Sequence, residues 1–248
     1  MKIIQITDLH LRCDKDYDAF DVNTFQSARI IIDHINQLHK DLNALIISGD
    51  ISDDETSESY SNLLELTDKI DTKIYLMPGN HDSIAEIKKC ASISKVKSEL
   101  YFVNDNWVYF MFNTKKDNSP NGFLKQDEID IFIDMLEKYE EKYFMVFLHH
   151  HPVEIGSPTM DRMIIENANI LLDLVRKNKS IRGVSWGHIH NVFETNINNA
   201  RLFSTPSTCY QSKPRSETFT IDRKERPGYR IIHFSSNGDL ETKVVRMS

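Results

Sequence analysis

The sequence predicts an α/β protein with two packed mixed β-sheets flanked by helices, a four-layer αββα sandwich. Three observations carry this expectation. Short β-branched runs alternate with stretches of helical apolar period as far as about residue 186. The run 44–48 (Ala-Leu-Ile-Ile-Ser) has no polar residue until its end, as a strand covered on both faces should read. Beyond residue 191 the pattern changes to closely spaced short strands, which a single parallel sheet would leave without a covered face. With 248 residues, 40% of them hydrophobic, the chain can bury a real core, which excludes a disordered or fibrous protein. No repeat or low-complexity tract divides it, and 8 Gly and 7 Pro are too few for a long flexible linker. One domain over residues 1–248 is expected, with a β-rich C-terminal extension from about 191 to 248 packed on it.

In chain order, residues 3–7 read as a strand, and Phe25, Ala28, Ile31, Ile32, Ile35 and Leu38 recur at helical spacing. The strand at 44–48 leads to a helix at 57–70. A third strand, 73–77, is cut off by Pro78 and Gly79. Strands at 107–113 and 143–148 flank a helix at 126–139. A helix at 164–177 precedes a strand at 181–186. Short strands at 192–197, 201–204, 218–221, 229–234 and 242–246 then suggest an antiparallel tail.

Charge narrows the function. Against 30 Lys plus Arg stand 37 Asp plus Glu, a net charge of −7, and no basic stripe exists for a nucleic acid polymer to release counterions onto. Cys13, Cys90 and Cys209 are odd in number and far apart, so neither a disulfide framework nor a thiolate zinc site is written, and a reducing compartment suits them. No run approaches the roughly 20 apolar residues of a membrane span, and the N-terminus is too polar for a secretory leader. A cytoplasmic protein is expected, without membrane or nucleic acid partners. The late strands leave open a homodimer.

The residues that carry chemistry collect just past the C-terminal ends of the expected strands, where open α/β sheets place their sites. Asp8 and His10 follow the first, Gly49 and Asp50 the second, Gly79, Asn80, His81 and Asp82 the third. His149, His150 and His151 follow the fifth, and Gly187, His188 and His190 the sixth. Carboxylate, amide oxygen and imidazole together suit iron, manganese or zinc rather than calcium. Seven ligands exceed the needs of one ion, and two ions sharing a bridging carboxylate form the arrangement used for attack on phosphorus. Asp50, alone in its loop, is the natural bridge. Asp8 and His10, on alternate residues of a strand end, are expected to face the same way, as are His188 and His190. Gly49, Gly79 and Gly187 precede ligands where the backbone must approach closely.

Asp8-Leu9-His10, Gly49-Asp50, Gly79-Asn80-His81-Asp82, a His after an apolar strand, and Gly187-His188-Ile189-His190 together resemble the five ordered motifs of the calcineurin-like metallophosphoesterases, over nearly the whole chain. Gln5 to Asp8, Gly49 to Asp54 with Ser59-Tyr60, Leu148 to Pro152 with Gly156-Ser157, Thr205 to Cys209 with Gln211 and Pro214, and Pro227 to Arg230 look like the bacterial class III cyclic 3',5'-AMP phosphodiesterases. Thr159 and Ser212 stand where aromatics are common in that group, and their small side chains are expected to soften a base-binding wall.

The resemblance implies one ion held by Asp8, His10, Asp50 and His190, and a second by Asp50, Asn80, His149 and His188. His150 is the alternative to His149, and His151 is read as structural or solvent-facing. It further implies two divalent ions, iron or manganese before zinc, and a small cyclic nucleotide substrate held at His10, Asp50, Asn80 and His81. The expected reaction is hydrolysis of cyclic 3',5'-AMP to 5'-AMP by a hydroxide held on the ions. Asn80 and His81 are then catalytic, His81 as general acid for the departing oxygen. Asp82 is expected either to orient His81 or to brace the loop. The competing readings are another phosphodiester (a 2',3'-cyclic nucleotide, a glycerophosphodiester or a nucleotide-sugar lipid) and a non-catalytic metal-binding scaffold. His34, His39 and His233 lie away from the strand tips. The run Asp53, Asp54 and Glu55 reads as helix capping, and Cys209 as a small buried filler.

Overall fold

The computed structural model describes residues 1–247. Its elements are β1 (Lys2–Ile6), β2 (Asp18–Ala19), β3 (Val22–Asn23), α1 (Thr24–Leu38), β4 (Ala44–Ser48), α2 (Ser57–Thr67), β5 (Lys73–Met77), α3 (Ile84–Ile93), β6 (Val96–Lys97), β7 (Tyr101–Asn104), β8 (Trp107–Met111), α4 (Gln126–Lys138), β9 (Tyr143–Phe147), α5 (Ala168–Lys177), β10 (Ile181–Trp186), β11 (Glu194–Ile197), β12 (Ala200–Ser204), β13 (Gly228–Phe234) and β14 (Leu240–Arg246). Two mixed six-stranded sheets result, in the orders β14-β13-β1-β4-β5-β6 and β11-β12-β10-β9-β8-β7. In the first sheet β1, β4, β5 and β6 run parallel, with β13 and β14 antiparallel at one edge; in the second β12, β10, β9 and β8 run parallel and both edge strands, β11 and β7, are antiparallel.

Strand alternation explains the layers. Ile4 and Ile6 of β1 turn outward with Leu45 and Ile47 into a core closed by Ala28, Ile31 and Ile35 of α1 and Leu63 of α2. Their neighbours Ile3 and Ile46 turn inward onto Met145 and Phe147 of the second sheet, with Trp107, Tyr109 and Phe234. The outer face of the second sheet buries Phe110, Val146 and Val184 under Phe132 of α4 and Leu171 of α5. Gln5 also points between the sheets. It hydrogen-bonds to Ser48 and accepts from Ser185, so a polar bridge joins the two sheets just below the strand tips.

Several elements depart from expectation. The tail is not one antiparallel unit: β12 runs parallel to β10, whereas β13 and β14 extend the other sheet antiparallel to β1. Residues 218–221 form no strand, only a bridge from Ile221 to Ser212. The helix expected from residue 164 begins at Ala168, because the Ile165 N–H bonds to the His151 carbonyl and the residue pairs with Gly122. Helix α3 was missed, although Ser83 and Glu86 carry a capping-box signature and the Ser83 side chain does accept from the Glu86 N–H. Among the described residues, no helix is long and apolar enough to cross a membrane.

Glu128, in the first turn of α4, is a buried acid. Burial pushes its carboxyl up to about 7, against the help of the Asn113 N–H it accepts at 2.8 Å. Its folded pKa thus exceeds the unfolded value, so its contribution to stability is full below the unfolded pKa and is lost as pH rises toward 7. Glu128→Gln keeps an acceptor but not the titration. The variant is expected to exceed the parent by about 2 kcal/mol at pH 8, the gap closing below about 1 kcal/mol at pH 5. Urea unfolding at the two pH values checks this, and a gap that does not change with pH would refute it.

Candidate metal centre

The seven residues singled out at the strand tips are brought to one place. Asp8 and His10 follow β1, Asp50 follows β4 and Asn80 follows β5, all in one sheet, while His149 follows β9 and His188 and His190 follow β10 in the other. The tips of both sheets therefore face a shared centre. All of these side chains are buried except Asn80, which is partly exposed.

Asp50 lies in the middle. Its Oδ2 is 3.3 Å from His149 Nε2 and 3.8 Å from His10 Nε2, while its Oδ1 accepts from the His81 N–H at 3.0 Å. On one side, ligand atoms of Asp8, His10 and Asp50 lie within 4.8 Å of one another, and His190 Nε2 is 3.5 Å from Asp8 Oδ1. On the other, His149 Nε2 is 3.2 Å from Asn80 Oδ1, and nitrogens of His149, His150 and His188 lie within 4.8 Å of one another. His150 turns its Nδ1 to Thr114 Oγ1 at 2.8 Å, so the imidazole that reaches Asp50 and Asn80 is His149.

The imidazoles are aimed from behind. His149 Nδ1 donates to the Ser48 carbonyl at 2.9 Å, His190 Nδ1 to the Tyr210 carbonyl at 3.0 Å, and His10 Nδ1 faces Asp53 Oδ1 at 3.2 Å. These oxygens only accept, so each ring donates from Nδ1 and turns its Nε2 to the centre, where a ligand nitrogen is needed. Two such nitrogens, of His10 and His190, stand 3.2 Å apart, an approach that only a shared proton or a cation satisfies. His188 Nε2 is buried and has no hydrogen-bond partner among the described residues. Acceptors converging on each other in this way fit divalent cations of the type that imidazole and carboxylate bind.

The backbone that achieves this is not the one alternation predicts. β1 ends at Ile6, and Asp8 and His10 have φ of +54° and +48°. Asp50, His188 and His190 are also left-handed, at +48°, +65° and +51°. Asp and His tolerate this region better than most residues, yet each instance is strained, and five in one centre mark a loop set held by its surroundings. The Asp8 N–H donates to the Gly49 carbonyl and the His10 N–H to that of Asp50, both at 3.0 Å. Gly79 and Gly187 are needed for room: a Cβ on the first would collide with Asp50, and on the second with Thr7 and Asp8.

Burial alone would raise the Asp50 carboxyl, but His149, His10 and His81 overrule it and hold it well below the ordinary carboxylate range. Burial opposes charge on His149, yet Asp50 and Asp8 raise it to about 9. Burial lifts Asp8 to about 7, and burial with the neighbouring imidazoles keeps His188 neutral. Ion binding at such a centre therefore has protons to displace.

Around the centre the structure decides points the sequence left open. Asp82 braces the loops: its carboxylate accepts the N–H groups of Ile51, Ser52 and Gly79 and the Tyr60 hydroxyl. His151 is fully buried, so it is not solvent-facing. Cys209 is buried, with its thiol donating to the Asp8 carbonyl and held protonated by burial. His34 and His39 share the Tyr229 hydroxyl, away from the tips. The cap of α2 is Thr56 rather than the acidic run: Asp54 accepts from the Thr56 N–H just before the helix, and Asp53 lies between His10 and His81 at 3.2 and 3.5 Å. Lys115 was missed altogether. Its Nζ donates to the Asn80 carbonyl at 2.8 Å, and nothing in its local sequence announces this. His81 is half-exposed, at the edge of a cleft of about 570 Å³ lined also by Asp53, Glu55 and Lys115.

A sandwich of two mixed sheets whose tips gather carboxylates and imidazoles defines a metallohydrolase scaffold. Residues 1–192 match the calcineurin-like phosphoesterases, and the chain belongs to that family. It is a metallophosphoesterase, a class in which a binuclear metal centre is implied. It is 30% identical over 247 residues to a 3',5'-cyclic-nucleotide phosphodiesterase of Nostoc sp., covering 100% of this chain and 92% of the relative. To a 3',5'-cyclic adenosine monophosphate phosphodiesterase of Escherichia coli K12 it is 29% identical over 251 residues, covering 100% and 90%. Among solved structures, a dimetal phosphatase from Danio rerio superposes with a TM-score of 0.69 at 12% identity, covering 100% of this chain and 99% of that one. A purple acid phosphatase from yellow lupin gives 0.67 at 10% identity, covering 99% and 53%. At such identities these two speak for the fold alone.

Proposed function

We propose that this protein is a binuclear metal-dependent phosphodiesterase that hydrolyses cyclic 3',5'-AMP to 5'-AMP. The observation that carries it is the position of Asp50, whose Oδ2 stands between His10 and His149 and so between two sets of ligands. Asp8, His10, Asp50 and His190 would hold one ion and Asp50, Asn80, His149 and His188 the other. Ions bound there would supply charge compensation for the phosphate and lower the pKa of water from 15.7 toward about 7. His81 donates a proton to the departing 3'-oxygen, a poor leaving group without it. Its backbone is fixed by Asp50, and its ring is steadied by Asp53. Lys115 holds the Asn80 carbonyl and so the loop that carries both Asn80 and His81.

The preference for a cyclic nucleotide is supported by similarity along the full chain to proteins named for that activity. Ser212 is buried behind the centre, donating to the Ile189 carbonyl, and Thr159 pins the neighbouring loop through the Glu217 carbonyl.

A panel with manganese, iron or zinc tests the reading: cyclic 3',5'-AMP, 2',3'-cyclic AMP, glycerophosphocholine and bis(4-nitrophenyl) phosphate, ranked by kcat/KM. Cyclic 3',5'-AMP is expected to lead the natural diesters by about tenfold or more. A higher rank for another natural diester would replace the substrate, and no hydrolysis of any would overturn the chemistry.

A further inference from the structure

The turn between β2 and β3 breaks the rule for its type. Its central residues, Phe20 and Asp21, have φ of +52° and +67°, between the paired Ala19 and Val22. Two-residue turns with positive φ at both positions are the province of Asn, Asp and Gly, because larger side chains are strained there. Phe20 carries that strain and gains little from burial, being 51% exposed. Strain kept at an exposed aromatic invites a functional explanation.

Its surroundings supply one. The Phe20 ring stands edge-on to Tyr210 at 4.8 Å and 6.3 Å from Phe219. Tyr210 in turn stacks on His190 at 4.6 Å and on His10 at 5.5 Å. Phe219, 39% exposed, stands edge-on to His190 at 6.4 Å. The rings come from two distant parts of the chain, Phe20 from one and Tyr210 with Phe219 from the other, and an ion pair from Asp21 to Arg223 at 2.8 Å ties the two together. An apolar ledge thus runs outward from two imidazoles of the metal centre. The cleft beside His81 is by contrast lined with Asp53, Glu55, Lys115 and Asp117.

We propose that Phe20 and Phe219, backed by Tyr210, are the platform on which the planar nucleobase of the substrate stacks while its phosphate lies on the metal centre. This rests on the reading of that centre as a phosphodiester site and adds what distinguishes one diester from another. The phosphate group is common to all of them, so the metal ligands cannot select among alcohols. Every base has a π-face, and a pair of exposed rings next to the phosphate position binds it through stacking rather than hydrogen bonding.

The test reads binding and needs no turnover. 5'-AMP and ribose 5-phosphate differ only in the base, and calorimetry on the manganese-loaded protein gives the ratio of their affinities. The parent is expected to favour 5'-AMP by at least about fivefold, as stacking on aromatic side chains provides. In Phe20→Asn and in Phe219→Leu the ratio should fall toward one, whereas Phe20→Trp should keep it. Asn suits the turn, so Phe20→Asn should melt no lower than the parent, which separates lost stacking from lost folding. A ratio near one in the parent, or one unmoved by both substitutions, overturns the proposal. Failure of the phosphodiester reading shows elsewhere, as absence of hydrolysis across the diester panel, and leaves these ratios measurable; binding of neither phosphate would overturn both.

Discussion

Replacing Asp50 with alanine is expected to empty the metal centre and lower phosphodiester hydrolysis by at least about a thousandfold. In the proposed assignment the carboxylate serves both ligand sets: it is 3.3 Å from His149, 3.8 Å from His10, and an acceptor for the His81 N–H. Without it, three ligands remain on each side, and two cations would face each other with no anion between them. The proton economy changes too, since Asp50 is the main influence raising His149 against burial. Elemental analysis of purified Asp50→Ala should find well under two ions per chain, and Asp50→Asn, which conserves shape, should show the same deficit. Two full ions in either variant would remove Asp50 from the bridge. Circular dichroism and melting of both variants separate lost ligation from lost fold.

His81→Ala should give the opposite pattern, with ions retained and chemistry slowed. Loss of a general acid typically costs a factor of about 10²–10⁴ where the leaving group needs its proton. Hydrolysis of cyclic 3',5'-AMP should fall within that range, whereas bis(4-nitrophenyl) phosphate, which expels a stable nitrophenolate, should lose less than about tenfold. The prediction draws on position: the ring is half-exposed on the cleft, 3.5 Å from Asp53 and 5.0 Å edge-on from His10. Losses of equal size for both substrates would leave His81 as a binding group only. Metal analysis alongside distinguishes this outcome from a disturbed Asn80 next door.

Asp53 and Lys115 show where reading the sequence stops. Asp53 begins an acidic run before a helix, where capping is the ordinary explanation, and its neighbour Asp54 does join the turn that leads into α2. That Asp53 instead reaches His10 follows from β1 and β4 being adjacent and parallel, with their loops bonded to each other. Lys115 belongs to the segment after β8, in the opposite sheet from Asn80, and meets it only when the sheets are stacked. The choice between His149 and His150 has the same origin. Met145 and Phe147 of β9 face the other sheet, and His149 continues that alternation to reach Asp50 while His150 turns to Thr114.

From the sequence alone came the alternation of strands and helices, the layered α/β class, and the identity of the residues gathered at the strand tips. Those properties follow from apolar periodicity and from the position of each ligand relative to its own strand, both of which are local. The tertiary structure alone decided which tips meet, how the tail divides between two sheets, that five of the seven gathered residues sit in left-handed backbone, and that Phe20 joins Tyr210 and Phe219 beside the centre. Such facts depend on contacts between residues as far apart as Phe20 and Tyr210, whose separation along the chain carries no signal until the two sheets pack face to face.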